Sequence, residues 1–125
     1  MTAADVMRPA PVPVSVRCTL AEFLRERYDH RHHSYPVVDS GRPIGLLHAA
    51  DVERVATEEL ARRVVGAHAL RPPVVAIVEA DRELGTLLEE LDAAGADEAL
   101  VLDHQRPVGI LLAGEARVRL EGIPR

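Results

Sequence analysis

Val37-Val38-Asp39-Ser40-Gly41-Arg42-Pro43-Ile44-Gly45-Leu46-Leu47 returns later in the chain as Val101-Leu102-Asp103-His104-Gln105-Arg106-Pro107-Val108-Gly109-Ile110-Leu111. Asp39 matches Asp103 and Gly45 matches Gly109 at one constant offset. Each copy is an apolar run, a polar turn and a second apolar run, which is the pattern of a β-hairpin. The duplication reaches further. Met7-Arg8-Pro9-Ala10-Pro11-Val12 matches Leu70-Arg71-Pro72-Pro73-Val74, one residue out of step, and Thr19 to Leu24 matches Glu83 to Leu88. The unit is about half the chain. It is longer than a solenoid repeat, and two copies are too few to build one. The expected division is residues 1–64 and 65–125. Each half is too short to bury much core alone, so the two are expected to fold against each other.

Each unit reads as strand, helix, strand, strand, helix. Val12, Val14 and Val16 alternate with Pro13 and Ser15, as in a strand with one buried face, and the prolines place it at a sheet edge. Thr19 opens a helix through the capping box Thr19-x-x-Glu22, and Leu20, Phe23, Leu24 and Tyr28 form one apolar stripe. That helix is expected to run out in Asp29-His30-Arg31-His32-His33. A further helix starts near Ala49 and carries Val52, Val55 and Leu60 inward. In the second half Val74, Val75 and Ile77 form the first strand. Asp81 is expected to cap a helix bearing Leu84, Leu87, Leu88 and Leu91, and Gly95 ends it. A last helix follows Glu115. The hairpin strands are continuously apolar, so both of their faces should be covered. The fold class is α/β (α+β).

Composition narrows the function. The apolar fraction is 47%, enough for a core. Phe23, Tyr28 and Tyr35 are the only aromatic residues, which argues against base-stacking nucleic-acid platforms. The net charge of −5 argues against binding a phosphate backbone. All the basic residues are arginine. Cys18 is alone and forms no internal disulfide, which fits a reducing, cytoplasmic setting. No apolar run reaches the ~20 residues that span a bilayer, and no signal peptide is visible, so direct membrane insertion is not expected.

The order of elements and the motif apolar-Pro-Val-Val-Asp … Pro-Ile-Gly-Leu-Leu-x-x-x-Asp resemble a CBS domain, the module named after cystathionine β-synthase. Two in tandem resemble a CBS pair, or Bateman module, across essentially the whole chain. Met7-Arg8-Pro9 is similar to the entry motif of such modules. Arg31-His32-His33-Ser34-Tyr35-Pro36-Val37-Val38-Asp39 is similar to CBS pairs attached to actinobacterial site-2-type intramembrane zinc metalloproteases. The resemblance implies a pseudo-twofold module that regulates rather than catalyses, and that often pairs into homodimers. It also implies a cleft between repeats that takes AMP, ATP or S-adenosylmethionine. In that motif, Gly-apolar-apolar-Thr/Ser-x-x-Asp, the Asp holds the ribose hydroxyls and the Thr or Ser contacts phosphate.

The chemistry behind the motif is general. A glycine lets a ligand approach the strand, and the following helix start offers free N–H groups to phosphate. A carboxylate one turn in accepts two ribose hydroxyls. The first repeat has Gly45-Leu46-Leu47, then His48 where Thr or Ser is expected, with Asp51 in place and Arg54 one turn beyond. Asp51 reads equally as a first-turn acid that favours the helix dipole, and Arg54 as a solvated side chain. The second repeat has Leu112, which cannot donate, and the longer Glu115 at the Asp position. A nucleotide is therefore expected in the first repeat, near Tyr35, Gly45, His48, Asp51 and Arg54.

Other chemistries find less support. Zinc needs three or four convergent ligands, and His30, His32, His33, His48, His68 and His104 have no cysteine cluster to help them. The histidine run reads as a polar helix end, where cationic His favours the dipole. No Gly-x-Ser-x-Gly motif is present, and Cys18 has no obvious base, so no enzyme is expected. The leading reading is a regulatory module for an adenosine-type ligand acting on a parent or partner enzyme or membrane protein. The alternative is a ligand-independent dimerisation or docking module, such as the soluble regulatory tail of a membrane metalloprotease.

Overall fold

The computed structural model describes residues 1–122. In chain order the elements are α1 (Ala3–Val6), β1 (Arg8–Pro9), β2 (Val14–Ser15), α2 (Leu20–Glu26), β3 (Ser34–Asp39), β4 (Arg42–His48) and α3 (Ala49–Glu53). Two short 3-10 turns follow, Thr57–Glu59 and Val65–Ala67. The remainder is β5 (Ala76–Glu79), α4 (Leu84–Ala94), β6 (Glu98–Asp103), β7 (Arg106–Leu112) and α5 (Ala113–Glu121). The chain forms two compact units, one of residues 11–70 and one of residues 1–10 together with residues from 71 onward.

The two units share one three-stranded pattern, to which the second adds β1. In the 11–70 unit the sheet order is β2-β3-β4, with β2 parallel to β3 and β3 antiparallel to β4. In the other unit the order is β1-β7-β6-β5, with β5 parallel to β6 and β6 antiparallel to β7. Val37 faces Gly45 and Val101 faces Gly109, and each hairpin then skips one residue, Ile44 or Val108, in a bulge. Matching bulges mean matching local twist at the strand ends that lead into α3 and α5. The duplication expected of the two hairpins is present down to register. β3 and β6 are buried on consecutive residues, as two covered faces require.

The boundary differs from the 1–64 and 65–125 halves. The first ten residues belong with the second repeat because their backbone groups bond there. Ala3 and Ala4 N–H donate to the carbonyls of Arg82 and Ala80, Leu84 N–H donates to Met1, and Arg8 and Pro9 pair with Ile110 and Gly109 in β7. The strand pairing also shifts the sequence match at the repeat starts. Arg8 stands opposite Ile110, but it is Leu70, not Arg71, that stands opposite the equivalent Leu46.

Each unit has its own core. In the 11–70 unit, Leu20 and Phe23 of α2 pack with Tyr35, Val37, Leu47 and Val52, all fully buried. Burying side chains of this size contributes roughly 1.5–3 kcal/mol each. The capping box of α2 forms as expected, with Glu22 N–H donating to Thr19 Oγ1 and Thr19 N–H to Glu22 Oε1. In the other unit Leu84, Leu87, Leu88 and Leu91 of α4 pack on Val101 and Leu111, and α1 adds Ala3 and Val6. Gly95 ends α4 at φ 70°, the left-handed stop that only glycine takes freely.

Five local expectations are corrected. α2 ends at Glu26, because the N–H groups of Arg27 and Tyr28 both bond to Phe23 O and close the helix. The histidine run is therefore loop, not helix end. The first strand shrinks to Val14–Ser15, and Val12 is exposed. In the second repeat Val74 lies in an exposed turn and β5 starts at Ala76. Asp81 does not cap α4. Glu83 does, its carboxylate accepting from the N–H groups of Gly85 and Thr86. Finally, α5 starts at Ala113, so Glu115 lies in its first turn rather than before it.

Candidate functional site

The junction of β4 and α3 gathers four of the five expected residues. Gly45 is buried in β4 beside the bulge. Three residues on, His48 is the half-buried N-cap of α3, in an extended conformation. Asp51 sits in the first turn of α3, and Arg54 is its C-cap. The start of α3 is fixed from behind, where Ala49 N–H donates to His33 O at 3.0 Å. Asp51 keeps a loose ion pair with Arg54 on its own helix, Nη1 to Oδ1 at 3.5 Å, and the Arg54 side chain is 80% exposed. Such a pair is worth little and is easily broken. The carboxylate is thus positioned, half exposed and weakly partnered.

Tyr35 is a different matter. It is fully buried, its ring edge-on to Phe23 at 4.8 Å. Its hydroxyl donates to Asp29 O and accepts from Asp29 N–H, at 2.8 and 2.7 Å. Burial pushes the phenol pKa up. Tyr35 is a core side chain that ties down the loop leading to β3. Its hydroxyl is already committed to the main chain.

The same junction in the second repeat is built differently. Leu112 is the N-cap of α5, and Ala113 N–H donates to Asp97 O, the counterpart of His33. Both oxygens of Glu115 are taken by Arg8, with Nε at 2.9 Å and Nη2 at 2.5 Å. The hydrogen bonds from Arg8 hold the Glu115 carboxyl below its usual pKa range. Gly109 is covered as well. A Cβ built on it would overlap Met7 Sδ. Sequence reasoning missed this pairing, and its only signal was an arginine and a glutamate more than a hundred residues apart.

The His30 ring lies against Tyr28 at 4.8 Å, and His32 Nδ1 lies 3.8 Å from Asp29 Oδ2. Among the described residues no three His, Cys, Asp or Glu side chains are placed to hold a metal ion. Cys18 is half-buried, its thiol donating to Thr19 O, and burial raises its pKa, the opposite of an activated nucleophile. Two hollows open on the unit that holds the second repeat. One, of about 320 Å³, lies between β5 and α4, and the other, of about 390 Å³, between Glu79–Asp81 and Asp103–His104. Neither is lined by the residues of the β4–α3 junction. No helix among the described residues is long and apolar enough to cross a membrane.

Comparison with known proteins places this geometry. Residues 3–58 match the model of the CBS domain. The chain is 28% identical over 109 residues to a zinc metalloprotease of Methanocaldococcus jannaschii, covering 87% of this chain but only 29% of that protein. Among solved structures, the fold matches the CBS domain of a bacterial CNNM/CorC family Mg2+ transporter in complex with ATP. There the TM-score is 0.77 at 23% identity, over 98% of this chain and 88% of that one. It also matches a CBS domain-containing protein of Kribbella flavida, with a TM-score of 0.76 at 17% identity over the full length of both chains. The fold is thus that of CBS-domain structures: the CBS model matches residues 3–58, and the order of strands and helices from β2 to α3 recurs from β5 to α5.

Proposed function

We propose that the chain is a regulatory CBS pair that binds an adenosine-type ligand, AMP, ATP or S-adenosylmethionine, at the β4–α3 junction of its first repeat. The observation that carries this reading is the state of Asp51. It is held in the first turn of α3, six residues after Gly45, with the exposed Arg54 as its loose ion partner. Asp51 accepts the two ribose hydroxyls. His48, at the N-cap, and Arg54 face the phosphates, His48 as a hydrogen-bond donor and Arg54 as a mobile cation. Gly45 puts no side chain of its own between the strand and the ligand. Tyr35 acts at one remove, by fixing the loop whose His33 carbonyl holds the start of α3. The likeness of fold to a CBS domain solved with ATP supports an adenine nucleotide.

The output is a change of state passed to a parent or partner domain, which follows only if the ligand favours one of two states. The metalloprotease relative, most of whose length lies outside the match, supports an enzyme or membrane protein as that partner. The test is thermal unfolding with AMP, ATP, S-adenosylmethionine and NADH. At 100 times its Kd a true ligand adds about 2.7 kcal/mol. No shift with any of them would reject the nucleotide reading.

That result would favour the second reading, a ligand-independent homodimer or docking module. Its support is α5, where Val118 and Leu120 are 51% and 42% exposed. A stable interface needs to bury more than ~1,000 Å² in total. A monomeric mass by light scattering at micromolar concentration would count against it.

A further inference from the structure

Resting on that reading of Asp51, we propose that the second repeat carries its own occupant: Arg8 takes the place of a ligand at Glu115 and keeps that repeat closed. Glu115 is the counterpart of Asp51, because β4 and β7 pair identically with their hairpin partners and run straight into α3 and α5. A carboxylate that is to accept two ribose hydroxyls needs both oxygens. Asp51 has one oxygen at 3.5 Å from an arginine of its own helix, whereas Glu115 has each oxygen bonded to a different nitrogen of one guanidinium. That planar two-point fork is the same donor pattern that a vicinal diol presents.

The strand side is filled by the neighbouring residue. Met7 lies against Gly109 along its Cβ, Cγ and Sδ, within 2.9 Å of where a Cβ would stand. Met7 and Arg8 thus cover together the two features that define an open junction, the bare glycine and the free acid. The charged half of the device is specific to this unit. In the 11–70 unit the residue paired at the position of Arg8 is Leu70, which has no charge to offer. Because the Arg8 side chain is 60% exposed, the closure is a displaceable latch and not a filled core.

The latch is tested by stoichiometry. The parent protein, Arg8→Ala and Arg8→Lys are titrated with ATP and with adenosine by calorimetry. Adenosine is included because Leu112 offers no donor to phosphate. Circular dichroism and thermal unfolding of each variant establish that it is folded. The expected result is one equivalent per chain for the parent, a second equivalent for Arg8→Ala, taken by adenosine, and one for Arg8→Lys, which keeps a cation over Glu115. One equivalent for both the parent and Arg8→Ala overturns the latch and leaves the first-repeat site standing. Two equivalents for the parent also overturn it. No binding by either protein overturns the nucleotide reading, and the latch with it. If Arg8→Ala does not fold, Glu115→Gln, which weakens the fork without emptying the position, replaces it. Release of the latch then shows as faster amide exchange at Ala10, whose N–H bonds to Val108 O.

Discussion

The Tyr35 hydroxyl is bonded in both directions to the main chain of one residue, Asp29, donating to its carbonyl and accepting from its N–H. Tyr35→Phe removes both bonds and leaves two main-chain groups short of a partner. The expected loss is about 1–3 kcal/mol of stability, read by urea or thermal unfolding. Nucleotide affinity should fall only as far as the loop loosens, since the hydroxyl is not offered to a ligand. An unchanged midpoint would mean that the loop is held by something else.

Asp51→Ala and Glu115→Ala separate the two junctions. If Asp51 holds a ribose, its loss should weaken binding by about 1.5–3 kcal/mol, the range for hydrogen bonds to a charged group. Glu115→Ala should leave first-site affinity unchanged, because that carboxylate serves Arg8. Calorimetric titration of both variants with one nucleotide decides it. Equal losses would sink the one-site reading.

These two residues also mark what could be read from the chain. The hairpins and the Thr19 capping box were legible because they rest on local spacing, and the duplication stated the hairpins twice. Local spacing also sets where the motif's glycine and acid fall, Gly45 in β4 and Asp51 in the first turn of α3. Tyr35 was misplaced because a tyrosine beside a motif reads alike whether its hydroxyl meets a ligand or a carbonyl, and only burial separates the cases. The exchange of the first ten residues into the second repeat left almost no local trace. It depends on β1 meeting β7 across most of the chain, and the x-Arg-Pro match pointed to Arg71 where the pairing selects Leu70. Glu83 displaced Asp81 as the cap of α4 because helix starts are set by which side chain reaches free N–H groups, and a glutamate two residues later reaches two of them.

The hairpin turns differ at both central residues. Ser40 and Gly41 have φ of 51° and 82°, and their counterparts His104 and Gln105 have 51° and 68°. Positive φ at both central residues is the two-residue turn that suits a twisted hairpin, and it favours glycine at the second position. Gln105 sits there with a side chain, at a cost of roughly 1–2 kcal/mol, part of which a glycine returns as unfolded-state entropy. Gln105→Gly is expected to stabilise by about 0.5 kcal/mol, and Gly41→Gln to destabilise by about 1 kcal/mol. Opposite signs for the two swaps in paired denaturation curves are the outcome to look for.

Acid should loosen the cap of α4. The Glu83 carboxyl is held below its usual range by the backbone N–H of Thr86 first, then by the Thr86 side chain and Gly85 N–H. A depressed folded value means that the unfolded chain binds the proton more readily. The stability it lends is therefore complete above the unfolded glutamate value and is lost as pH falls through the folded one. Glu83→Gln should lie below the parent in stability at neutral pH, and the gap should close below roughly pH 5. A gap that stays constant from pH 7 to roughly pH 3 would show that the charge is not what caps the helix.

Gly109→Ala tests how closely Met7 is packed. The added methyl would overlap Met7 at Sδ, Cγ and Cβ, so the conflict reaches the root of the side chain and a turn of the thioether end cannot relieve it. Met7 leads directly into β1, so displacing it pulls on the pairing of Arg8 with Ile110 and on the fork to Glu115. Overpacking of this kind costs typically about 1–3 kcal/mol. Met7→Ala alone should destabilise by opening space over Gly109. The double variant should be less destabilised than the two single losses added together, because the alanine at 109 then fills the space that Met7 left. Simple additivity in that cycle would mean that Met7 and Gly109 do not share one space.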